Sequence, residues 1–317
     1  MTPSASEGWP RVAVMGAGAV GCFFGGMLAR AGAPVTLIGR RERVEAVARE
    51  GLFLDSIHFQ ETVAVAASTQ ADAARDADLV LFSVKTLDTE EAARLLAPHL
   101  KPGAIVVSLQ NGVDNLERIR GATRTASGKS GVDALPAVVY VAAAITAAGR
   151  VKHSGRGDLV VGHNTRRVEV ERVAQTFERA GVPCRISENI EGELWVKLIM
   201  NCAGNAVTAL GRSSYGRAAQ HEPARQVMRA TAEEAIAVAR AAGVQLPPGD
   251  FVAAGLELAK NLGPATSSTA QDIERGKRTE IDVLNGYIAQ RGAELGVPTP
   301  VNQTLFALVK LLEEGKS

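Results

Sequence analysis

Residues 11–40 read RVAVMGAGAVGCFFGGMLARAGAPVTLIGR, and this stretch decides the fold. Arg11–Met15 is a short run with β-branched residues, the composition of a buried strand. It leads directly into Gly16-Ala17-Gly18-Ala19-Val20-Gly21, then into the apolar helix Cys22–Ala31, which Gly32 stops. A second strand follows at Val35–Ile38. A lone Gly-x-Gly-x-x-Gly carries little weight in a chain this rich in Gly and Ala, and could be an ordinary strand-to-helix turn. Framed by strand, helix and strand, it is a dinucleotide-binding fingerprint. Gly16 permits the tight turn. Gly18 lets backbone approach a pyrophosphate seated on the helix N-terminus, and Gly21 allows close packing of helix on strand.

The end of the second strand selects the cofactor. An acidic residue there would bind the ribose 2′-hydroxyl of NAD; this chain has Gly39-Arg40-Arg41. A guanidinium at Arg40 suits the 2′-phosphate of NADP. Glu42 is close by, and Arg41 and Arg43 read as solvated helix charge.

Working outward, the alternation continues. Val63–Ala66 reads as a strand, Ala71–Ala77 as a short helix, and Leu79–Val84 as a buried strand ending in Lys85-Thr86. Glu90–Leu96 is helical. Ala104–Leu109 is a buried strand ending in Gln110-Asn111-Gly112, with Asp114 able to cap the next helix. Such alternation predicts a parallel, doubly wound sheet with ligands outside the carboxyl ends of its strands. Lys85 and Asn111 lie at such ends and should face the cofactor, although Asn111-Gly112 is also a common turn pair. Gly121–Leu135 reads as a surface loop. Ala137–Ile145, Val151–His153 and Leu159–Val161 read as strands, the first two joined through Ala148-Gly149. Val168–Ala180 is a helix and Cys184–Ile186 a last strand. His153, alone at a strand end, reads as a satisfied structural group.

The 317 residues suffice for two domains with full cores, and a net charge of +1 gives no argument for nucleic acid or an anionic membrane surface. Cys22, Cys184 and Cys202 form no Cys-x-x-Cys pair, which suggests a reducing, cytoplasmic setting and no structural metal. The first ten residues lack a signal-peptide pattern, and the longest near-apolar run, Ala137–Ala148, is too short to span a bilayer.

From about Glu188 onward every element reads as helix: Glu193–Leu210, Glu222–Ala242, Phe251–Asn261, Gln271–Leu295 and Val301–Glu314. In the first of these, Glu193, Lys197, Asn201 and Asn205 fall four apart and stack into one polar ridge on an otherwise apolar helix. A lysine there is costly unless paired or facing a wet cleft, so the ridge reads as cleft-lining rather than as a solvated stripe. Ser268-x-x-Gln271 has capping-box spacing before the long helix. Counting by fours from Ser268 puts Asp272, Gly276 and Glu280 on one face. Ser268 could equally serve only as a cap, Asp272 only favour the helix start, and Glu280 only pair with Lys277. With a nicotinamide at the sheet edge, Lys197 could protonate the alkoxide that develops when hydride reaches a ketone. A carboxylate near it would keep it charged. The N-terminus of the Gln271 helix, with Ser268, could anchor a substrate carboxylate. Asn201, Asn205 and Glu280 are then left with unspent hydrogen-bonding capacity.

These motifs resemble the ketopantoate reductase (2-dehydropantoate 2-reductase) family over nearly the whole chain. The resemblance rests on the glycine fingerprint, Val84-Lys85-Thr86, Gln110-Asn111-Gly112, Leu194-Trp-Val-Lys197-Leu-Ile-Met-Asn201-x-x-x-Asn205-x-x-Thr208-Ala-Leu210, Ser267-Ser268-x-x-Gln271-Asp272 and Thr279-Glu280-Ile281-Asp282. It implies that Lys197 is the general acid and Glu280 its catalytic partner. Asn201, Asn205 and Ser268 would bind substrate, with Asp272 supporting the site. Lys85 and Asn111 would lie at nicotinamide and substrate, and Arg40 on the 2′-phosphate. The implied activity is NADPH-dependent reduction of ketopantoate to pantoate, on the route to pantothenate and coenzyme A, by a protein that is often a homodimer. The implied architecture is α/β: an N-terminal Rossmann-type doubly wound parallel sheet that binds NADP (1–187) and a C-terminal all-helical domain that binds substrate (188–317). Thr269 departs from the Met common after Ser-Ser. Two other readings stand beside the first: a paralogous reductase of another branched or aromatic 2-oxo acid, and a non-catalytic NADP-binding regulatory protein.

Overall fold

The chain divides into two units, Met1–Ile190 and Glu191–Ser317. The computed structural model describes residues 8–124 and 131–315.

The first unit runs β1 (Val12–Met15), α1 (Ala19–Arg30), β2 (Val35–Ile38), α2 (Arg41–Glu50), β3 (Leu52–Ser56), β4 (Gln60–Val63), β5 (Ala66–Ser68), β6 (Leu79–Phe82), α3 (Thr89–Leu96), β7 (Ile105–Ser108), α4 (Asn115–Thr123), β8 (Leu135–Ala147), β9 (Arg150–Val161), α5 (Arg167–Arg179) and β10 (Cys184–Ile186). The strands form one sheet in the order β4-β3-β9-β8-β7-β6-β1-β2-β5, with β10 also paired to β9. From β8 through β5 neighbouring strands are parallel, with Val12 opposite Val35 on one side and Leu79 on the other. The central strands β1, β6 and β7 are buried on both faces, which is why they read as continuous apolar runs. Apolar clusters cover the two faces: Phe24, Leu28 and Phe177 on one, Phe82, Leu96 and Ile119 on the other.

Chain direction across the sheet reverses at β1. The first crossover leads from β1 to β2 on one side, whereas β6 and β7 lie on the other. The loops after β1 and β6 therefore meet at a topological switch point, where doubly wound sheets bind ligands.

The parallel expectation holds without interruption from β5 to β8, and again where β3 and β10 each pair with β9. Elsewhere β8 and β9 form a long antiparallel hairpin, and β4 is antiparallel to β3. Val151–His153 and Leu159–Val161 belong to the single strand β9, whose register shifts and positive-φ residue Arg156 disguise its continuity. Leu52–Ser56 was not anticipated as a strand; its Leu52 and Leu54 alternate inward with period two. Val63–Ala66 is not one strand but the end of β4 and the start of β5, at opposite edges of the sheet. The expected helix Ala71–Ala77 is only a 3₁₀ turn, Ala71–Ala74. Within the expected loop Gly121–Leu135, residues 121–123 complete α4, residues 125–130 lie outside the described residues, and β8 begins at Leu135. Residues 1–7 of the N-terminal stretch also lie outside them.

The second unit, begun by α6 (Ile190–Leu210), continues with α7 (Tyr215–Gln220), α8 (Glu222–Ala241), α9 (Phe251–Leu262), α10 (Ser268–Glu274), α11 (Asn285–Leu295) and α12 (Pro300–Glu314). Among its described residues there is no strand. The predicted helix Gln271–Leu295 does not exist as one piece. Gly276 takes φ +62°, the left-handed region that ends a helix, and a 3₁₀ turn at Ile281–Val283 precedes α11. Among the described residues no helix is long and apolar enough to cross a membrane.

Candidate active site

The glycine loop sits as its spacing predicts. Gly16 has φ +110°, and a Cβ there would come within 2.6 Å of the Val84 backbone nitrogen. A Cβ on Gly21 would lie 2.2 Å from the Gly16 carbonyl oxygen. Ser83 ties the loops after β1 and β6 together, its hydroxyl donating to the Gly16 carbonyl at 2.9 Å. Gly18 differs: the nearest atom to its ideal Cβ position is Ser83 O at 4.0 Å. Nothing in this chain's own packing requires glycine there. Gly18 is the N-cap of α1 and no side chain caps the helix; its first turn holds Ala19, Val20 and Gly21 and no acidic residue. The first-turn amides have no intrahelical acceptors, so this end fits an anion such as a pyrophosphate.

Arg40 follows β2 as expected, exposed and extended (φ −69°, ψ 147°) just before α2. Arg43 is not the solvated helix charge that was expected. Its guanidinium donates to the Ala17 carbonyl at 2.6 Å and so holds the glycine loop from the α2 side. Arg41 is exposed and lies 3.8 Å from Glu45.

Lys85 and Asn111 are half-buried at the ends of adjacent parallel strands, after β6 and β7. Lys85 precedes the 3₁₀ turn Thr86–Asp88. The Asn111 carbonyl accepts from the Thr86 hydroxyl at 3.1 Å and from Asn115 Nδ2 at 2.7 Å. Asp114 precedes α4 but makes no side-chain cap bond; burial raises its carboxyl pKa, partly offset by Arg118.

In the helical unit, α6 is one unbroken helix, so Lys197, Asn201 and Asn205 do form a ridge. Trp195, Leu198, Ile199 and Cys202 are buried behind it. Lys197 and Asn201 are half-buried, whereas Asn205 is only 3% exposed. Part of the hydrogen-bonding capacity of Asn205 is spent within the protein. Its Oδ1 accepts from the Tyr215 hydroxyl at 2.7 Å, and its Nδ2 donates to Ser268 Oγ at 3.5 Å. Ser268 is the first residue of α10, not its cap. The cap is Ser267, which accepts from the Ala270 amide at 3.1 Å and donates to the Asn205 carbonyl at 3.1 Å. Thr208 in turn donates to Ser267 Oγ at 2.8 Å. Capping by Ser267 leaves the Ser268 side chain exposed for other use. The expected carboxylate anchor would fall on a helix of only 7 residues, α10, and not on the long helix the sequence suggested. Tyr215, Thr208 and Ser267 escaped the sequence reading as site-building residues. Thr208 and Ser267 do stand within the family motifs, and the adjacent serines before a helix were a further signal.

The break at Gly276 also overturns the helical face drawn through Ser268, Asp272 and Glu280. Ser268 and Asp272 share α10, but Glu280 lies outside any α-helix, half-buried at the start of the 3₁₀ turn. Its backbone is held locally. The Thr279 amide donates to Glu313 at 2.7 Å, and Lys310 bridges Asp282 and Glu313. Burial opposes the Lys310 charge, but hydrogen bonds to Glu313 and Asp282 outweigh it and raise its pKa.

A cavity of about 70 Å³ lies between α6, α8 and α9, with Asn201 and Tyr215 beside Met200, Phe251 and Leu256. His153 is a satisfied structural group, as expected: Ser56 lies 3.0 Å from Nδ1, Nε2 contacts the Arg156 carbonyl, and the ring stacks on Phe23. Burial pushes the Cys22 and Cys184 thiols up to about 12, which removes both as nucleophiles at neutral pH. Among the described residues no group of three or more His, Cys, Asp or Glu could hold a metal ion.

A sheet unit with a dinucleotide fingerprint, followed by a helical unit with a lysine–asparagine ridge, is the build of two-domain dinucleotide-binding oxidoreductases. The family model described as ketopantoate reductase PanE/ApbA matches residues 12–166, and that for its C-terminal part matches residues 189–313. The chain belongs to the ketopantoate reductase family. The 2-dehydropantoate 2-reductase of Archaeoglobus fulgidus is 34% identical over 307 residues, covering 96% of this chain and 98% of that one. A PanE/ApbA family ketopantoate reductase from Ralstonia eutropha JMP134 is similar in structure, with a TM-score of 0.88 at 47% identity, covering 96% of this chain and 99% of that one. D-mandelate dehydrogenase, in a ternary structure with NADH and anilino(oxo)acetate, shares the fold at 22% identity and a TM-score of 0.86, covering 96% of this chain and 99% of that one.

Proposed function

We propose that this chain reduces ketopantoate to pantoate with NADPH, in the cytoplasmic route to pantothenate and coenzyme A. The observation that carries this reading is the ridge on α6, with Asn205 bonded to Ser268, in a chain of the ketopantoate reductase family. When bound, the dihydronicotinamide supplies the hydride. Gly16, Gly18, Ala19, Val20 and Gly21 hold the pyrophosphate, and Arg40 meets the 2′-phosphate. Lys85 and Asn111 sit at the nicotinamide end, Asn111 also toward substrate. Lys197 donates the proton to the developing alkoxide, with Glu280 keeping it charged and oriented. Asn201 and Ser268 hold the substrate. Asn205 orients Ser268, and Asp272 supports α10. Buried, unpaired cysteines fit a reducing compartment. A homodimer is the state the family resemblance implies, and sedimentation of the purified chain reads it directly.

The test is steady-state turnover with NADPH. Ketopantoate should exceed 2-oxo-3,3-dimethylbutanoate, which lacks its hydroxyl, by at least about 10²-fold in kcat/KM, because polar sites reject analogues missing a hydroxyl. With Asn205 partly engaged by Tyr215 and Ser268, that discrimination rests chiefly on Asn201, Ser268 and Glu280. A reductase of another branched or aromatic 2-oxo acid is the competing reading. Comparable kcat/KM for the two acids would support it. NADPH binding without turnover of any 2-oxo acid would support a regulatory protein instead.

A further inference from the structure

We infer that Gln110 is a positioning residue: its buried side chain locks together the two segments that carry Lys85 and Asn111. The inference rests on the cofactor roles proposed above for those two residues. Gln110 stands two residues beyond the end of β7 and is only 5% exposed. Its Nε2 donates to the Val84 carbonyl at 3.1 Å and to the Thr89 hydroxyl at 2.7 Å. Its Oε1 accepts from the Ser108 hydroxyl at 3.0 Å. Val84 immediately precedes Lys85, and Thr89 opens α3 four residues after it. Two bonds from one amide thus pin both ends of the short segment that presents Lys85. Thr86, inside that segment, donates to the carbonyl of Asn111, the residue after Gln110. The result is a closed frame in which neither segment can shift without breaking a buried hydrogen bond.

The chemistry of the amide explains why glutamine serves here. The Val84 carbonyl can only accept, so the nitrogen must face it, and that fixes the orientation of the amide. Both Nε2 hydrogens are then used. Gln110 has no donor left for a ligand, and its effect must pass through Lys85 and Asn111. Leucine would fill similar space without making the frame. Glutamate has the same shape but, when ionised, offers no donor to Val84. When protonated it offers one.

The experiment compares wild type, Gln110→Leu and Gln110→Glu in NADPH binding, in binding of 2′,5′-ADP (which lacks the nicotinamide end), and in kcat and KM. For Gln110→Leu, kcat/KM should fall on the order of 10–100-fold, as expected for displaced positioning groups. NADPH should weaken at least about fivefold and 2′,5′-ADP less than about twofold, since the glycine loop and Arg40 are untouched. At each pH the ratio of Gln110→Glu to Gln110→Leu activity should rise as pH falls and the buried carboxyl gains its proton. Parallel weakening of both nucleotides, or NADPH binding and kcat/KM within about threefold of wild type, overturns the inference. Should Gln110→Leu fail to fold, Thr89→Val removes one acceptor of the same amide. It must then give the same split in smaller measure, and an unchanged split overturns the inference equally. If the intact chain binds NADPH but leaves ketopantoate unreduced, the functional reading fails, while the two binding measurements still decide the role of Gln110.

Discussion

Tyr215 donates a 2.7 Å hydrogen bond to the amide oxygen of Asn205, so the amide nitrogen is the end turned toward Ser268. The pair joins the start of α7 to the polar ridge of α6. Tyr215→Phe leaves a buried acceptor unpaired, at a cost of about 1–3 kcal/mol. A lowered urea midpoint should accompany a KM for ketopantoate that rises more than kcat falls. Wild-type values of both midpoint and KM would remove Tyr215 from the site-building set.

Within the glycine loop, Gly16 and Gly21 are required by the chain's own packing, whereas Gly18 is proposed to meet the pyrophosphate. Gly21→Ala drives a Cβ into the Gly16 carbonyl and should unfold the chain at lower temperature by several degrees or abolish soluble expression. Gly18→Ala meets no such clash and should cost at most about 1 kcal/mol through a poorer N-cap. It should nevertheless cut NADPH affinity at least about tenfold by occupying the space for the pyrophosphate. Thermal unfolding and NADPH titration of the two variants test this, and undiminished affinity in Gly18→Ala would contradict it.

Two arginines near the end of β2 should behave differently. Arg40→Ala removes a charge-assisted contact worth about 1.5–3 kcal/mol to the 2′-phosphate, weakening NADPH while sparing NADH. Arg43→Ala instead releases the Ala17 carbonyl and should loosen the glycine loop proposed to hold the pyrophosphate of either cofactor. NADPH and NADH should then weaken together. Steady-state kinetics with each cofactor checks the pair, and equal losses for both cofactors in Arg40→Ala would unseat Arg40.

Lys197→Ala should lower kcat by on the order of 10²–10⁴ with NADPH affinity nearly unchanged. Glu280→Ala should also be severe, and the double variant less than additive because the two act as a unit. A kcat for Lys197→Ala within about threefold of wild type would exclude that lysine as the acid of the rate-limiting step.

Local chemistry is what the sequence determined by itself. The glycine fingerprint, Arg40 after the second strand, and the polar ridge at spacing four on α6 each depend on one element's geometry, and a regular element is predictable from its own periodicity. Long-range pairing lay with the tertiary structure. The separation of β4 from β5, the continuity of β9 and the antiparallel hairpin are set by which strands find partners, which no local pattern encodes. Glu280 shows the limit most clearly. It was found by counting along a helix that the left-handed Gly276 breaks, so its candidacy survives through the family motif and not through the spacing. Asn205 shows the converse: its position on the ridge was legible, but Tyr215 and Ser268, 10 and 63 residues away, each take one of its hydrogen bonds. Whether a buried amide binds a ligand or its neighbours depends on what the fold packs against it.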